Sequence, residues 1–297
     1  MGNRVLVATD GSELSRKTAE FVVRMKQVLP LEVDLGMVVD MHPLDYRAIS
    51  PMYMDMIREG AKATVENLLK KEEAFYESQG VKVNPRILYG APAQAICSTA
   101  ADEGFPFLVM GRKGKGGDIQ DVLFGSVSRQ VVHGCKRPVL VVKGRGPIRK
   151  GEEAKKPLRV LVPLDDTPGA LRCLEFLRAS RWAQGTEVSL LHVVNANGPE
   201  LEHLPDEFRS KALQGLHEAA SALLERSAAA LREAGFSVST RVEEGNPAKV
   251  VCGVYAEEGF EVTVLGRHGP GSVEDTLLSP VTNYILHHCP GHILLVP

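Results

Sequence analysis

The amino-acid sequence predicts an α/β protein of two tandem domains, each a doubly wound parallel sheet of five strands in the order 3-2-1-4-5. Three observations lead to this prediction. The chain has 297 residues, which suits about two domains of ~100 to 200 residues each. It contains an internal repeat, and within each repeat short apolar runs alternate with longer segments of helical period.

The internal repeat can be read directly from two aligned stretches. "RVLVATDGS" from Arg4 realigns on "RVLVPLDDT" from Arg159, an offset of 155 positions. The same offset carries "FPFLVMGRKG" from Phe105 onto "FEVTVLGRHG" from Phe260. Near the end of each half the offset falls to 154, where "LFGSVS" matches "LLSPVT". The two halves are therefore homologous copies of one domain.

The limits of the repeat predict a first domain over residues 1–145 and a second over residues 158–297. Between them, residues 146–157 read "GPIRKGEEAKKP", in which charged side chains are mixed with Gly and Pro. This composition is typical of an exposed linker.

The secondary-structure elements follow from the alternation of patterns. Short apolar runs joined by helical segments are typical of parallel strands with crossover helices. Ser12 and its repeat partner Thr167 stand where a helix N-cap is expected, and Pro168 follows at the first helical position, which tolerates the missing N–H. The predicted strands of the first half are residues 4–9, 31–39, 81–89, 106–110 and 138–143.

Composition and charge exclude several classes of function. The chain is 44% hydrophobic and 24% charged, and its formal net charge is −2. It therefore lacks the basic field of a nucleic-acid-binding protein. No apolar run approaches the ~18 residues of a membrane span, and no leader pattern precedes the first strand. We expect a cytoplasmic protein with neither a membrane nor a nucleic acid as partner.

The cysteines and histidines predict no metal site. Four of the five cysteines form register-matched pairs, Cys97 with Cys252 and Cys135 with Cys289, in apolar segments. No C-x-x-C or Cys/His ligand spacing is present, so we interpret these cysteines as small buried hydrophobes in a reducing compartment. Cys173 has no counterpart and receives no role.

The candidate site lies where the winding of the sheet reverses. In the order 3-2-1-4-5 this switch point lies between strands 1 and 4, and ligands bind there at the carboxyl ends of the strands. "TDGS" follows strand 1, and "GRKGKGG" follows strand 4. A glycine-rich loop that leads to a helix N-terminus can hold a phosphate with its backbone N–H groups.

Three features together resemble the universal stress protein family, in tandem form. They are an Asp that ends strand 1, an "LLHV"-like strand 2, and a Gly-x2-Gly-x9-Gly-Ser/Thr loop after strand 4. The family consists of small α/β domains on an adenine nucleotide alpha hydrolase-like fold, and many members bind ATP. The resemblance implies these nucleotide-binding residues: Asp10, Val38, Gly111, Arg112, Gly114, Gly125 and Ser126 in the first half, and Asp165, Val193, Gly266, Gly269 and Ser279 in the second.

Both halves depart from the family's loop pattern. Ten residues separate Gly114 from Gly125 where the family has nine, but the closing Gly-Ser is retained. In the second half Ser-Pro replaces Gly-Ser, and Pro280 has no N–H to donate. The loop of the first half is also the more positively charged. We predict that the first half is the better phosphate site.

Structural interpretations of the same residues stay open at this point. Glycines also serve turns, Asp10 could cap the following helix, and Asp166 could replace Asp165 in either role. Ser126 and Ser128 could form only an N-cap region. Residues 41–57 carry four methionines and two tyrosines, which is more typical of an adaptable packing surface than of a lid.

The functional interpretation is a nucleotide-binding regulatory protein of the stress response. No nucleophile elbow, Walker loop or zinc-protease motif is present, so any ATP turnover would be slow. ATP is the expected ligand, with AMP or ADP as alternatives and Mg²⁺ as the accompanying ion. A nucleotide-free interaction scaffold and an adenylate-using enzyme are the two alternatives.

The expected assembly follows from the apolar final strands. "PVLVVK" and "HILLVP" would each be exposed at a sheet edge, and exposed apolar edges favour pairing. We predict an intramolecular pseudo-dimer of the two halves, which could form a homodimer in turn. The client protein is not identified by the sequence.

Overall fold

The computed structural model describes residues 3–40, 51–112, 124–196, 198, 201, 203–267 and 278–297. Its contacts divide the chain into two compact units. One holds Leu31–Gly144 and the residues before Gln27, and the other holds Gln27–Pro30 and Arg145–Pro297. The division therefore falls immediately before the predicted linker. The predicted domain limits themselves stay predictions.

The first half alternates strands and helices along the chain. Its strands are β1 (Arg4–Ala8), β2 (Glu32–Asp40), β3 (Val83–Gly90), β4 (Leu108–Gly111) and β5 (Val139–Val142). Its helices are α1 (Glu13–Lys26), α2 (Pro51–Ser78), α3 (Pro92–Asp102) and α4 (Ser126–Gly134). Each predicted strand is present, with limits within two residues of those expected.

The second half repeats this order. Its strands are β6 (Leu158–Pro163), β7 (Thr186–Val194), β8 (Ser237–Glu244), β9 (Val262–Gly266) and β10 (His292–Val296). Its helices are α5 (Pro168–Ala179), α6 (Asp206–Glu233), α7 (Pro247–Glu258) and α8 (Pro280–His288).

Strand order confirms the predicted fold class in both halves. The first sheet runs β3-β2-β1-β4-β5 and the second β8-β7-β6-β9-β10, which is 3-2-1-4-5 in each. The strand pairs within each sheet are parallel. Crossover helices cover both faces, with α1 beside α2, α3 beside α4, and the same pairing of α5 with α6 and α7 with α8. The switch point lies between β1 and β4, and between β6 and β9.

The core of each half lies around its central strands. Val5, Leu6 and Val7 of β1 are buried, as are all four residues of β5. Strands buried on both faces by helices are continuous runs of Val, Leu and Ile rather than alternating patterns. The apolar runs in the sequence therefore identify these strands correctly.

The predicted N-caps are present at both first helices. The Ser15 N–H donates to Ser12 Oγ at 3.3 Å, and the Ala170 N–H donates to Thr167 Oγ1 at 3.3 Å. Each hydroxyl satisfies an N–H in the first turn that has no partner within the helix.

The predicted linker packs on the second half at two points. Arg149 forms an ion pair with the fully buried Glu261 at 3.7 Å, and Pro147 O lies 3.2 Å from His292 Nε2. Residues 150–157 are exposed apart from Ala154, which is buried. The segment is thus fixed to the second half by the contacts of Pro147 and Arg149, and Ala154 is its buried apolar side chain.

None of the five cysteines, all of which lie in the described residues, forms a disulfide. Cys135, Cys173 and Cys289 are buried, and Cys97 and Cys252 are half-buried. Burial raises the pKa of the Cys173 thiol to about 12, so this sulfur stays protonated and packs as a small apolar group.

Candidate functional site

The turn after β1 is built around Asp10. Its Oδ1 accepts hydrogen bonds from Ser12 N at 3.0 Å and from Ser15 Oγ at 2.6 Å. The next residue, Gly11, has φ +71°, a conformation that suits glycine. Asp10 thus holds the turn and orients Ser15, while the helix N–H of Ser15 is capped by Ser12 and not by Asp10. The half-buried carboxylate lies at the carboxyl end of β1.

The second half builds the same turn with different partners. Asp165 Oδ1 accepts from Thr167 N at 3.1 Å and also from Thr167 Oγ1. One threonine thus performs the roles that Ser12 and Ser15 share in the first half. Between the two candidate aspartates, Asp165 rather than Asp166 holds this turn.

Strand pairing brings the strand 4 residues to the same edge as these aspartates. β1 and β4 pair with Ala8 opposite Met110, so Asp10 and Arg112 follow at the same level. In the second half Leu161 is opposite Thr263, which places Asp165 level with Arg267. The predicted switch-point residues of each half therefore come together.

The two arginines at this edge are buried. Arg112 is 5% exposed and Arg267 is 4% exposed, and the Arg112 guanidinium lies 4.9 Å from the centroid of the Phe124 ring. The sequence predicted Arg112 as one of the nucleotide-binding residues, and that role stays a prediction. In the structure its guanidinium is stacked on an aromatic face.

Similar hydrogen bonds join the two ends of the strand 4 loop in each half, although the acceptor of the hydroxyl group differs by one residue. Gly125 N donates to Arg112 O at 3.2 Å, and Ser279 N donates to Arg267 O at 3.1 Å. The hydroxyl of Ser128 donates to Arg112 O, and that of Thr282 donates to Gly266 O at 2.9 Å.

The structural role of Ser128 and Thr282 was only partly anticipated. The sequence suggested an N-cap region around Ser128 and assigned no role to Thr282. The two residues match at offset 154. The repeat therefore contained the information that a hydroxyl group recurs at this position. Ser15, by contrast, matches Ala170, and nothing in the sequence pointed to its bond with Asp10.

The helices that follow these loops begin differently. Gly125 is the N-cap of α4, and no side chain caps that helix among the described residues. Ser279 is the N-cap of α8, and its Oγ accepts from Thr282 N at 3.1 Å. Pro280, the first residue of α8, has no N–H. The first turn of α4 therefore presents three backbone N–H groups that no side chain caps, whereas that of α8 presents one.

Gly266, the last residue of β9, lies very close to the backbone of the neighbouring helix. A Cβ on Gly266 would lie 2.6 Å from the carbonyl carbon of Gly169, in the first turn of α5. Gly266 therefore admits the helix backbone. Gly125 has φ −66°, so its backbone does not itself require glycine. This extended conformation is the usual one for an N-cap residue.

The remaining predicted residues divide into two groups. Val38 and Val193 are half-buried near the carboxyl ends of β2 and β7, at the same edge of the sheet. Gly114 and Gly269 lie outside the described residues, as do most of the glycine loops and the first ten residues of the methionine-rich stretch 41–57.

Two kinds of feature are missing from the ranges that the structure describes. No group of three or more His, Cys, Asp or Glu side chains in those ranges is placed to hold a metal ion. Nor does any described helix combine the length and hydrophobicity that crossing a membrane requires.

Comparisons with known proteins identify the family. The model of the universal stress protein family matches residues 1–143 and again residues 158–297. The chain belongs to the universal stress protein family. Together with the two sheets, the double match makes it a tandem, two-domain member, as the sequence predicted.

Individual relatives agree with this assignment. Universal stress proteins MJ0531 and MJ0577 of Methanocaldococcus jannaschii are 32% and 31% identical to this chain. These matches cover 47% and 48% of the chain, and 81% and 96% of the relatives. A solved universal stress protein from Archaeoglobus fulgidus shares the fold with a TM-score of 0.64 at 24% identity, over 99% of this chain and 97% of the other.

Proposed function

We propose that this universal stress protein binds ATP at the carboxyl edge between the first and fourth strands, with the first half as the tighter site. Nucleotide binding would in turn regulate a protein partner in a stress response. The observation that carries the proposal is the N-terminus of α4, where no described side chain caps the three backbone N–H groups of the first turn. This helix follows β4, the neighbour of β1, and Asp10 lies in the turn after β1.

The chemistry of this edge suits a phosphate. The N-terminus of a helix carries a partial positive charge, and its first N–H groups have no partner within the helix. An anion satisfies both, so such termini are common phosphate sites. The half-buried Asp10 and Val38 lie at the same edge and would contact the nucleoside.

Other parts of the proposal are supported by less specific observations. Among the described residues no acidic cluster holds a metal, so Mg²⁺ would be bound mainly by the phosphates of the nucleotide, as is usual for that ion. Five free thiols suit a reducing cytoplasm.

A substitution at the start of α4 tests the proposal in the full chain. Ser126 is exposed and is the first residue of the helix, a position that accepts proline. The preceding Gly125 has ψ 159°, which a following proline also accepts. Ser126→Pro therefore removes one N–H and leaves the fold intact.

We expect Ser126→Pro to weaken ATP binding at the tighter site about ten-fold or more in calorimetric titration, because a hydrogen bond to a charged group is worth about 1.5 to 3 kcal/mol. Ser126→Ala is the matched control, since it removes the hydroxyl and keeps the N–H. Equal affinities of wild type and both variants would contradict the phosphate site. No ATP binding by the wild type would contradict the proposed function and favour a nucleotide-free scaffold.

A further inference from the structure

A buried group of ionisable side chains lies between α1 and α2 of the first half. Glu72 is 5% exposed and Tyr76, one turn later on α2, is 0% exposed. The Arg16 guanidinium reaches across from α1, with Nη2 3.6 Å from Glu72 Oε1, and stacks 4.0 Å from the centroid of the Phe75 ring. Neither Glu72 Oε2 nor Tyr76 Oη has a hydrogen-bond partner among the described residues.

This group adjoins the turn that carries Asp10. Leu68, one turn before Glu72, lies so close to the turn that a Cβ on Gly11 would be 3.3 Å from Leu68 Cδ2. Arg16 directly follows Ser15, whose hydroxyl donates to Asp10. The same two helices therefore hold both the buried acid and the edge of the candidate nucleotide site.

The environment of Glu72 favours its protonated form. Burial raises the pKa of this carboxyl, Arg16 lowers it, and the charge of Asp10 raises it, so that the pKa lies above its ordinary value. Charge reaches Glu72 from Arg16 on α1 and from Asp10 on the turn. Tyr76 faces it from its own helix, and burial and the charge of Glu72 raise the pKa of that phenol as well, so Tyr76 stays neutral.

The second half has no such group. Helix α6 matches α2 at offset 155 over its whole length. Ser227 stands in the place of Glu72, Leu231 in that of Tyr76, and Leu171 in that of Arg16. The repeat thus offers a built-in comparison, in which one copy of the turn rests on a buried acid and the other on apolar or small side chains.

We propose that Glu72 is a proton-linked positioning residue, so that nucleotide binding in the first half draws a proton onto Glu72 and tightens as the pH falls. This inference rests on the proposed function. The proton comes from solvent and ends on the Glu72 carboxylate, and no covalent bond to the nucleotide forms. The second half binds without this linkage.

The physical reason is the sign of the charges. An ionised Glu72 adds a second negative charge that interacts with Asp10, near the edge where the nucleotide would bind. Protonation removes that charge and leaves the positive charge of Arg16. At an effective dielectric constant of about 20 to 40, a unit charge about 10 Å from a phosphate charge changes affinity about four- to fifteen-fold.

Calorimetric titration of the full chain with ATP tests the inference, at pH values from 6 to 8 and in two buffers of different ionisation enthalpy. The difference between buffers reports protons taken up on binding. We expect the wild type to take up more protons than Glu72→Gln, and its affinity to fall about four- to fifteen-fold further than that of the variant as the pH rises. Ionisation of ATP itself and binding by the second half contribute equally to both proteins. They therefore cancel when wild type is compared with Glu72→Gln.

Two further variants sharpen the test. Glu77→Gln removes an exposed acid from the same helix and should behave as the wild type. Arg16→Leu introduces the residue that the second half has at this position. It should shift the loss of ATP affinity to higher pH, because Arg16 lowers the pKa of Glu72. Equal proton uptake and equal pH profiles in wild type and Glu72→Gln, with ATP bound by both, would overturn this inference alone. If neither protein binds ATP, the proposed function and this linkage both fail.

Discussion

The helix after the fourth strand begins with a glycine cap in the first half and with a serine cap and a proline in the second. Both helices follow the same loop closure, in which the cap N–H donates to the carbonyl of Arg112 or Arg267. The fold is thus the same with either cap. The number of N–H groups left for an anion differs, since Ser279 accepts from one of them and Pro280 has none. Fold and binding capacity can therefore diverge between two copies of a domain.

The largest effect is expected at Gly266, where β9 meets the first turn of α5. Gly266→Ala would place a Cβ 2.6 Å from backbone atoms of Gly169, which cannot move as a side-chain tip can. We expect the free energy of unfolding to fall by about 2 to 3 kcal/mol. Thermal unfolding of the full chain measures this, with Gly134→Ala as control, because a Cβ there would meet no atom within 4 Å. Equal melting temperatures for the two variants would show that the close approach is not required.

A smaller effect is expected from a substitution that makes the start of α8 in the second half resemble the start of α4 in the first. Pro280→Ser restores the missing N–H at the start of α8, and we expect ATP to bind the weaker site about ten-fold more tightly, or ~1.4 kcal/mol. Pro247→Ser at the first position of α7 is the matched control for the change of residue type. The sites are resolved by titration at limiting ATP. If Pro280→Ser leaves the weaker site unchanged, the difference between the halves does not arise from this N–H.

The smallest effect concerns a charge network at the opposite, amino-terminal end of the sheets. In the first half two carboxylates pair with two arginines, namely Asp34 and Glu103 with Arg4 and Arg86. The Nη2 atom of Arg86 lies 2.6 Å from Glu103 Oε1. In the second half Arg159, Arg241 and Glu258 repeat the network, but Ser189 replaces Asp34. Arg241 pairs with the half-buried Glu243 there, so the second network has Glu243 where the first has the buried Asp34.

The hydrogen bond from Arg86 lowers the pKa of Glu103 below its usual range. A carboxyl whose pKa is lowered in the folded state makes its full contribution to stability when the pH is above its ordinary pKa. That contribution is lost as the pH falls through the pKa of the folded state. Because the side chain is about a third exposed, solvent screening limits the effect to about 0.5 kcal/mol or less. Urea unfolding at pH 7 and pH 3 should show Glu103→Gln less stable than wild type at pH 7, with a smaller difference at pH 3. A difference of the same size at both pH values would mean that packing, and not charge, accounts for it.

Most of the fold could be predicted because each strand is encoded locally. A run such as "RVLVA", followed by a segment of helical period, predicts a buried strand. The repeat shows the same element a second time in the other half. The site was predicted less completely. Asp10, Asp165 and the glycines stand beside strand ends in the sequence, so topology alone brought them to one edge.

What the sequence by itself determined was the family, the two copies, the strand order and the edge that holds the candidate site. Only the tertiary structure decided that Arg112 and Arg267 are buried, that Gly266 admits a helix backbone, and that Glu72 lies beside Arg16 beneath the Asp10 turn. The physical reason is the range of the interactions. Periodicity, capping and repeats act between residues close in sequence or matched by register, whereas burial and charge pairing depend on neighbours such as Arg16 and Glu72, which are distant in the chain and share no local pattern.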